Sequence, residues 1–208
     1  AVDEQVDDYR GSSPAWVGLN PAGQEGAFAA AVSGTAQFLV IPTTARSLRA
    51  YLRFGSGSWQ NLTNVSVLPS QAREVRATFN GSTPIVCYVH IPVTGRQLSC
   101  SSWNGSTAWN HTTDLAPGTV ESLDLFTRGQ LTWLTFAAGG QIQVKWLRVG
   151  AAGALNVSML NGPTGVATWS TPGRPSSNPE TFATANALYV VWEEYAAPWN
   201  QLVLHKVE

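Results

Sequence analysis

The stretch Pro84–Asn110, PIVCYVHIPVTGRQLSCSSWNGSTAWN, decides the fold. It opens on a near-continuous apolar run, Pro84–Pro92, which suits a strand buried on both faces. A turn centred near Val93–Thr94 follows. The next run, Gln97–Trp103, alternates Leu98, Cys100 and Ser102 against Ser99, Ser101 and Trp103. Asn104-Gly105 turns the chain again, and Ser106–Asn110 carries a tryptophan. The order strand, strand, turn-plus-tryptophan occurs elsewhere as well. Ala36–Pro42, Ser47–Phe54 and Gly57–Asn61 make one copy, and Gln130–Ala137, Gln141–Arg148 and Val166–Ser170 make another. The last copy, Ala187–Tyr195 and Gln201–Glu208, has no tryptophan segment, and Ser13–Asn20 (SPAWVGLN) near the other end supplies one.

A more modest strand precedes each copy, at Gly26–Gly34, Glu74–Gly81, Val120–Gly129 and Thr181–Ala187. A unit of roughly 50 residues that cannot bury both its apolar faces alone must stack against its own repeats. Closing the stack into a ring, with the first residues completing the last sheet, leaves no free edge. The expectation is an all-β, four-bladed β-propeller whose N-terminal strand closes the last blade. It is read as one domain over 1–208, with an acidic lead-in at 1–12. The blades fall at about 22–69, 70–117, 118–178, and 179–208 joined by 13–21. A two-sheet sandwich fits the number of strands but not the repeat.

Only 12% of the residues are charged and the net charge is −1, so the chain has no electrostatic footprint for nucleic acid. No apolar run approaches the length of a membrane span, which excludes insertion by helices. Position 1 is a small residue with no apolar leader after it, as in a chain whose signal peptide has been removed. Six Asn-x-Ser/Thr sequons, at Asn61, Asn64, Asn80, Asn104, Asn110 and Asn156, predict a secreted glycoprotein. Cys87 and Cys100 are equidistant from the hairpin centre and so face each other across the strand pair. They are predicted to form a disulfide, as an oxidising compartment allows. With no further cysteine and three scattered histidines, neither a metal site nor a cofactor is expected.

The chain has nine tryptophans. An indole can stack on the C–H face of a sugar while neighbouring Asn, Ser or Arg groups bond its hydroxyls. Trp16, Trp59, Trp109 and Trp169 recur at one position of the repeat and are read as blade packing. Trp103 and Trp146 end third strands, and Trp199 sits in the loop AAPWN at 196–200. These three are the expected ligand contacts, with Arg53 and Arg148 as hydrogen-bonding forks. The catalytic reading turns on paired carboxylates. Glu193-Glu194 is the best pair of neighbours for it, but alternation sends its members to opposite faces, so one of the two is expected to be buried against the adjacent blade, where Glu193 could pair an Arg. Asp114 and Asp124 stand alone in their segments.

Leu98–Trp109, LSCSSWNGSTAW, resembles the blades of secreted propeller lectins of the fungal fucose-binding and tectonin-like kinds. That resemblance implies glycan binding on a propeller scaffold. The fucose-binding family's Arg, Glu and aromatic set is not matched, because Val86 or Cys87 and then Ser99 occupy those places. The expected function is a secreted, non-catalytic lectin binding glycans or cell-surface glycoproteins, with its oligomeric state open. A protein-interaction or immunomodulatory module is the alternative, and a glycoside hydrolase is the third reading.

Overall fold

In the computed structural model, the described residues are 28–42, 47–67, 72–90, 97–113, 115, 116, 118–162 and 168–207. They form four antiparallel sheets, each built from neighbours in sequence. The first sheet comprises β1 (Ala29–Ser33), β2 (Ala36–Pro42), β3 (Ser47–Phe54) and β4 (Gln60–Val67). The second has β5 (Ala72–Asn80), β6 (Thr83–His90), β7 (Gln97–Trp103) and β8 (Trp109–Thr112). The third has β9 (Val120–Arg128), β10 (Leu131–Ala138), β11 (Gln141–Val149) and β12 (Leu155–Leu160). The fourth has β13 (Ser176–Ala183), β14 (Leu188–Ala196) and β15 (Trp199–Lys206). This is the expected all-β, four-bladed β-propeller. The N-terminal strand expected to close the last blade lies outside the described residues.

The blades stand face to face, and the period of two in each strand explains why. Along β6, Val86 and Tyr88 join a core with Phe38, Val40 and Leu48 of the first blade. The alternate residues Ile85, Cys87 and Val89 join a core with Leu123, Leu134 and Phe136 of the third. Trp133, Val144 and Trp169 meet Leu188, Val190 and Trp192 in the third seam. A strand apolar on both faces is therefore buried on both. Cys87 and Cys100 are directly opposed in the β6–β7 ladder and form the predicted disulfide, inside the second seam.

Trp109 opens β8 and Trp169 is nearly buried beside β11, both as packing residues. The third blade departs from expectation. Its outer strand is Leu155–Leu160, and the Trp169 segment adds only an isolated bridge between Thr168 and Gln143. Trp199 also differs, since it begins β15 opposite Ala196 and does not sit in the loop.

Of the sequons, Asn61, Asn64 and Asn156 are exposed. Asn80 is a correction. It is 8% exposed, and its Nδ2 donates to the Gln130 carbonyl at 2.9 Å and to Thr132 Oγ1 at 3.1 Å. The nitrogen that would carry a glycan is spent on the second seam.

Replacing Cys87 and Cys100 together by alanine is expected to lower stability by about 2–3 kcal/mol, as for a cross-link closing a loop of this size. Urea unfolding checks it: the midpoint falls, and reductant then leaves the variant unchanged while destabilising the parent.

Candidate active site on the innermost strands

The first strand of each blade lines the axis, and β1, β5, β9 and β13 contact one another in that order. On β5 the alternation places Glu74, Arg76, Thr78 and Asn80 on the face toward the third blade. Glu74, Thr78 and Asn80 each bond across to the third blade. Glu74 Oε2 accepts the Leu123 N–H at 3.0 Å, and Thr78 shares a hydroxyl bond with Thr127 at 3.0 Å. One seam further on, Asp124 Oδ2 accepts the buried Thr181 N–H at 2.7 Å. Thr135, directly opposite Asp124 on β10, bonds the Thr181 hydroxyl at 2.9 Å.

These bonds order three carboxylates around the axis. Glu74 is held at the residue before Asp124, and Asp124 is held at the residue after Glu180. Glu180 reaches solvent, unlike the buried Asp124. Its carboxyl is held above the ordinary glutamate range by partial burial, then by the negative charges of Asp124 and Glu74, against an opposing pull from Arg76. Among the described residues no group of three or more His, Cys, Asp or Glu is gathered to hold a metal ion. The three acids are thus spread more widely than chelation needs, yet Glu180 feels both others.

Glu193 and Glu194 play a different part. Glu194, not Glu193, is the buried member of the pair, with no exposed side-chain surface. Its partners are the Thr171 N–H at 2.9 Å, Arg174 at 3.2 Å and Gln201 at 3.2 Å. Burial alone would raise its pKa, but the bonds from Thr171, Arg174 and Gln201 outweigh burial and hold it below the usual range. Glu193 meets Asn178 on the opposite face. A carboxylate fixed in this way ties the last blade together and stays ionised.

The aromatic and arginine residues expected to bind ligand are spread over the molecule. Trp146 and Arg148 share a cavity of about 290 Å³ between the third and fourth blades, with the guanidinium 4.9 Å from the indole centroid. Trp103 lines a separate cleft between the first two blades. Arg53 is buried, bonded to Gln37 and set 4.7 Å from the Trp59 ring. Trp199 is 77% exposed at the sheet edge. None of these five belongs to the axial carboxylate set. The signal for that set was an acid inside three of the four first strands: REVR at 73–76, SLDL at 122–125 and PETF at 179–182.

No protein-family model matches the chain, and no curated protein matches it in sequence. Solved structures do. One is an exo-β-1,3-galactanase from Phanerochaete chrysosporium with galactose, at TM-score 0.52 and 8% identity, over 85% of this chain and 46% of that one. Others are an endo-arabinase from Bacteroides thetaiotaomicron (TM-score 0.45, 10% identity, 83% and 70% covered) and a GH32 β-fructofuranosidase from Bombyx mori (0.42, 9%, 86% and 44%). The chain spans less than half the length of the galactanase and the fructofuranosidase. At 8% identity the likeness to the galactanase is one of fold alone.

The expectation of a non-catalytic lectin, and of no enzyme, is corrected at this point. The galactanase that shares the fold is a glycoside-cleaving enzyme, and the axis carries carboxylates that neither adjacency nor motif marks.

If Glu180 is coupled to its neighbours as described, Asp124→Asn lowers its pKa and Arg76→Gln raises it further. Carboxyl ¹³C NMR titration of Glu180 in the two variants reads both shifts. Its raised pKa favours the protonated form in the folded state, so its share of stability declines as pH rises from about 4.5 through its folded value.

Proposed function

We propose that the protein cleaves glycosidic bonds at the axis, with Glu180 as general acid, Glu74 as base toward water, and Asp124 adding to the proton affinity that partial burial gives Glu180. The observation that carries this is the relay of hydrogen bonds that places three carboxylates from three successive blades around one axis. Glycoside cleavage needs two carboxyl groups in unlike environments on either side of the bond. Glu180, reaching solvent and crowded by negative charge, suits the acid. Glu74 accepts the Leu123 N–H with one oxygen, which leaves its other oxygen to take a proton from water.

The step balances simply. Glu180 gives its proton to the leaving oxygen as the bond from the anomeric carbon to that oxygen breaks. A water oxygen bonds to the same carbon and Glu74 takes its proton. The shared fold with a galactanase supports the substrate class, a neutral polysaccharide. The disulfide and the exposed sequons support a secreted, glycosylated protein. Among the described residues no helix is long and apolar enough to cross a membrane.

Glu180→Gln is expected to reduce sugar release from β-1,3-galactan by about 10²–10⁴-fold. A dinitrophenyl glycoside needs no protonation on leaving, so the same variant should retain far more activity on it. Undiminished galactan turnover in Glu180→Gln, or no release from either substrate by folded protein, would sink the proposal.

A further inference from the structure

We infer a second saccharide subsite, remote from the carboxylates, in the cleft between the first and second blades, built for a neutral sugar. The cleft holds about 460 Å³, within the range of about 300–1,000 Å³ typical of small-molecule sites. One wall is the end of β3 and the start of β4. The other is the turn into β6 and the loop from β7 to β8. Glu74 is the third residue of β5, and the turn into β6 follows Asn80, so the two regions are roughly 20 Å apart along the strand. The inference therefore does not depend on Glu180.

The lining chemistry selects the ligand. Phe54 is 55% exposed at the end of β3, an aromatic surface left open beside the cleft. Trp103 is buried against Trp109, ring centroids 5.3 Å apart, and lines the same cleft. Gln60, Ser82, Thr83 and Asn104 bring amide and hydroxyl groups. No acidic, basic or histidine side chain is among the described lining residues. An ion would find no counter-charge there. A ring with an apolar C–H face and a rim of hydroxyls finds an aromatic to stack on and donors and acceptors around it.

The wall is also pre-organised. Asn104 Oδ1 accepts the N–H groups of Ser106, Thr107 and Ala108 at 2.9, 3.0 and 3.1 Å. From the third blade, the Gly153 carbonyl accepts the Ser102 hydroxyl, and the Ala152 carbonyl accepts Asn110 Nδ2 at 2.8 Å. Gly153 has φ +77°, and a Cβ there would lie 3.0 Å from the Trp103 carbonyl oxygen, so the close approach depends on glycine. A loop clamped on both sides loses little freedom when a ligand arrives.

The test uses protein from the bacterial periplasm, where Cys87–Cys100 can form and Asn104 carries no N-glycan. β-1,3-Galactotetraose and xylotetraose are titrated by saturation-transfer NMR and calorimetry, with tetragalacturonate as the charged comparator. At least one neutral tetrasaccharide should bind while tetragalacturonate does not. Phe54→Ala should weaken that binding about tenfold or more without moving the melting temperature, since Phe54 is exposed. Ser82→Trp, which fills the cleft, should abolish it, and Glu180→Gln should leave it unchanged. The inference is overturned if no neutral tetrasaccharide binds, if Phe54→Ala and Ser82→Trp bind like the parent, if tetragalacturonate binds equally, or if binding is lost in Glu180→Gln and so belongs to the axis.

Discussion

A sheet whose middle strands are apolar on both faces cannot exist alone in water, and every other feature of this protein follows from that constraint. Val86 and Ile85 are consecutive residues, yet each is wholly buried, in a different seam. Each of the two middle blades thus supplies half of two cores. Removing either would expose side chains of both its neighbours, so stability is shared between seams instead of residing in one centre.

Toward the axis the seams change character. The first strands lie where blades converge, and the contacts become hydrogen-bonded pairs of small or acidic residues such as Thr78 with Thr127, Asn80 with Thr132, and Asp124 with Thr181. A buried carboxylate is tolerated when it holds a backbone N–H that would otherwise go unpaired. The same bonds that join one blade to the next therefore fix the position of Glu74 and Asp124. Carboxylates set by the scaffold in this way need no flexible loop to hold them.

Much of the fold was legible in the sequence because burial on both faces writes itself as a continuous apolar run. Ala36–Pro42, Ser47–Phe54 and Gln97–Trp103 begin and end in the structure where the pattern places them. Outer strands were harder. Leu155–Leu160 is mostly half-exposed, so it shows neither a continuous apolar run nor a clean alternation. The cysteine pair followed from hairpin symmetry alone. The axial carboxylates did not, because Glu74, Asp124 and Glu180 are each about 50 residues from the next, and only closure of the repeat brings them together. Adjacency misled in the other direction, since Glu193 and Glu194 are neighbours in sequence and lie on opposite faces of one strand.

Glu180 and Glu194 show how one residue type divides its roles on a single blade. Glu194 is surrounded by donors, from Thr171, Arg174 and Gln201, so ionisation is favoured and the group is committed to structure. Glu180 meets partial burial first and then the negative charges of Asp124 and Glu74, against the pull of Arg76, so its ionisation is opposed. The difference comes from position along the radius of the propeller. Glu194 lies on the middle strand, opposite Ser176 and Gln201 within its own sheet, where polar neighbours can close around it. Glu180 lies on the innermost strand, where the nearest polar groups come from other blades and two of them are carboxylates. A ring that places like charges on converging strands raises the proton affinity of whichever one is least hydrogen-bonded. Here that is Glu180, the member open to solvent.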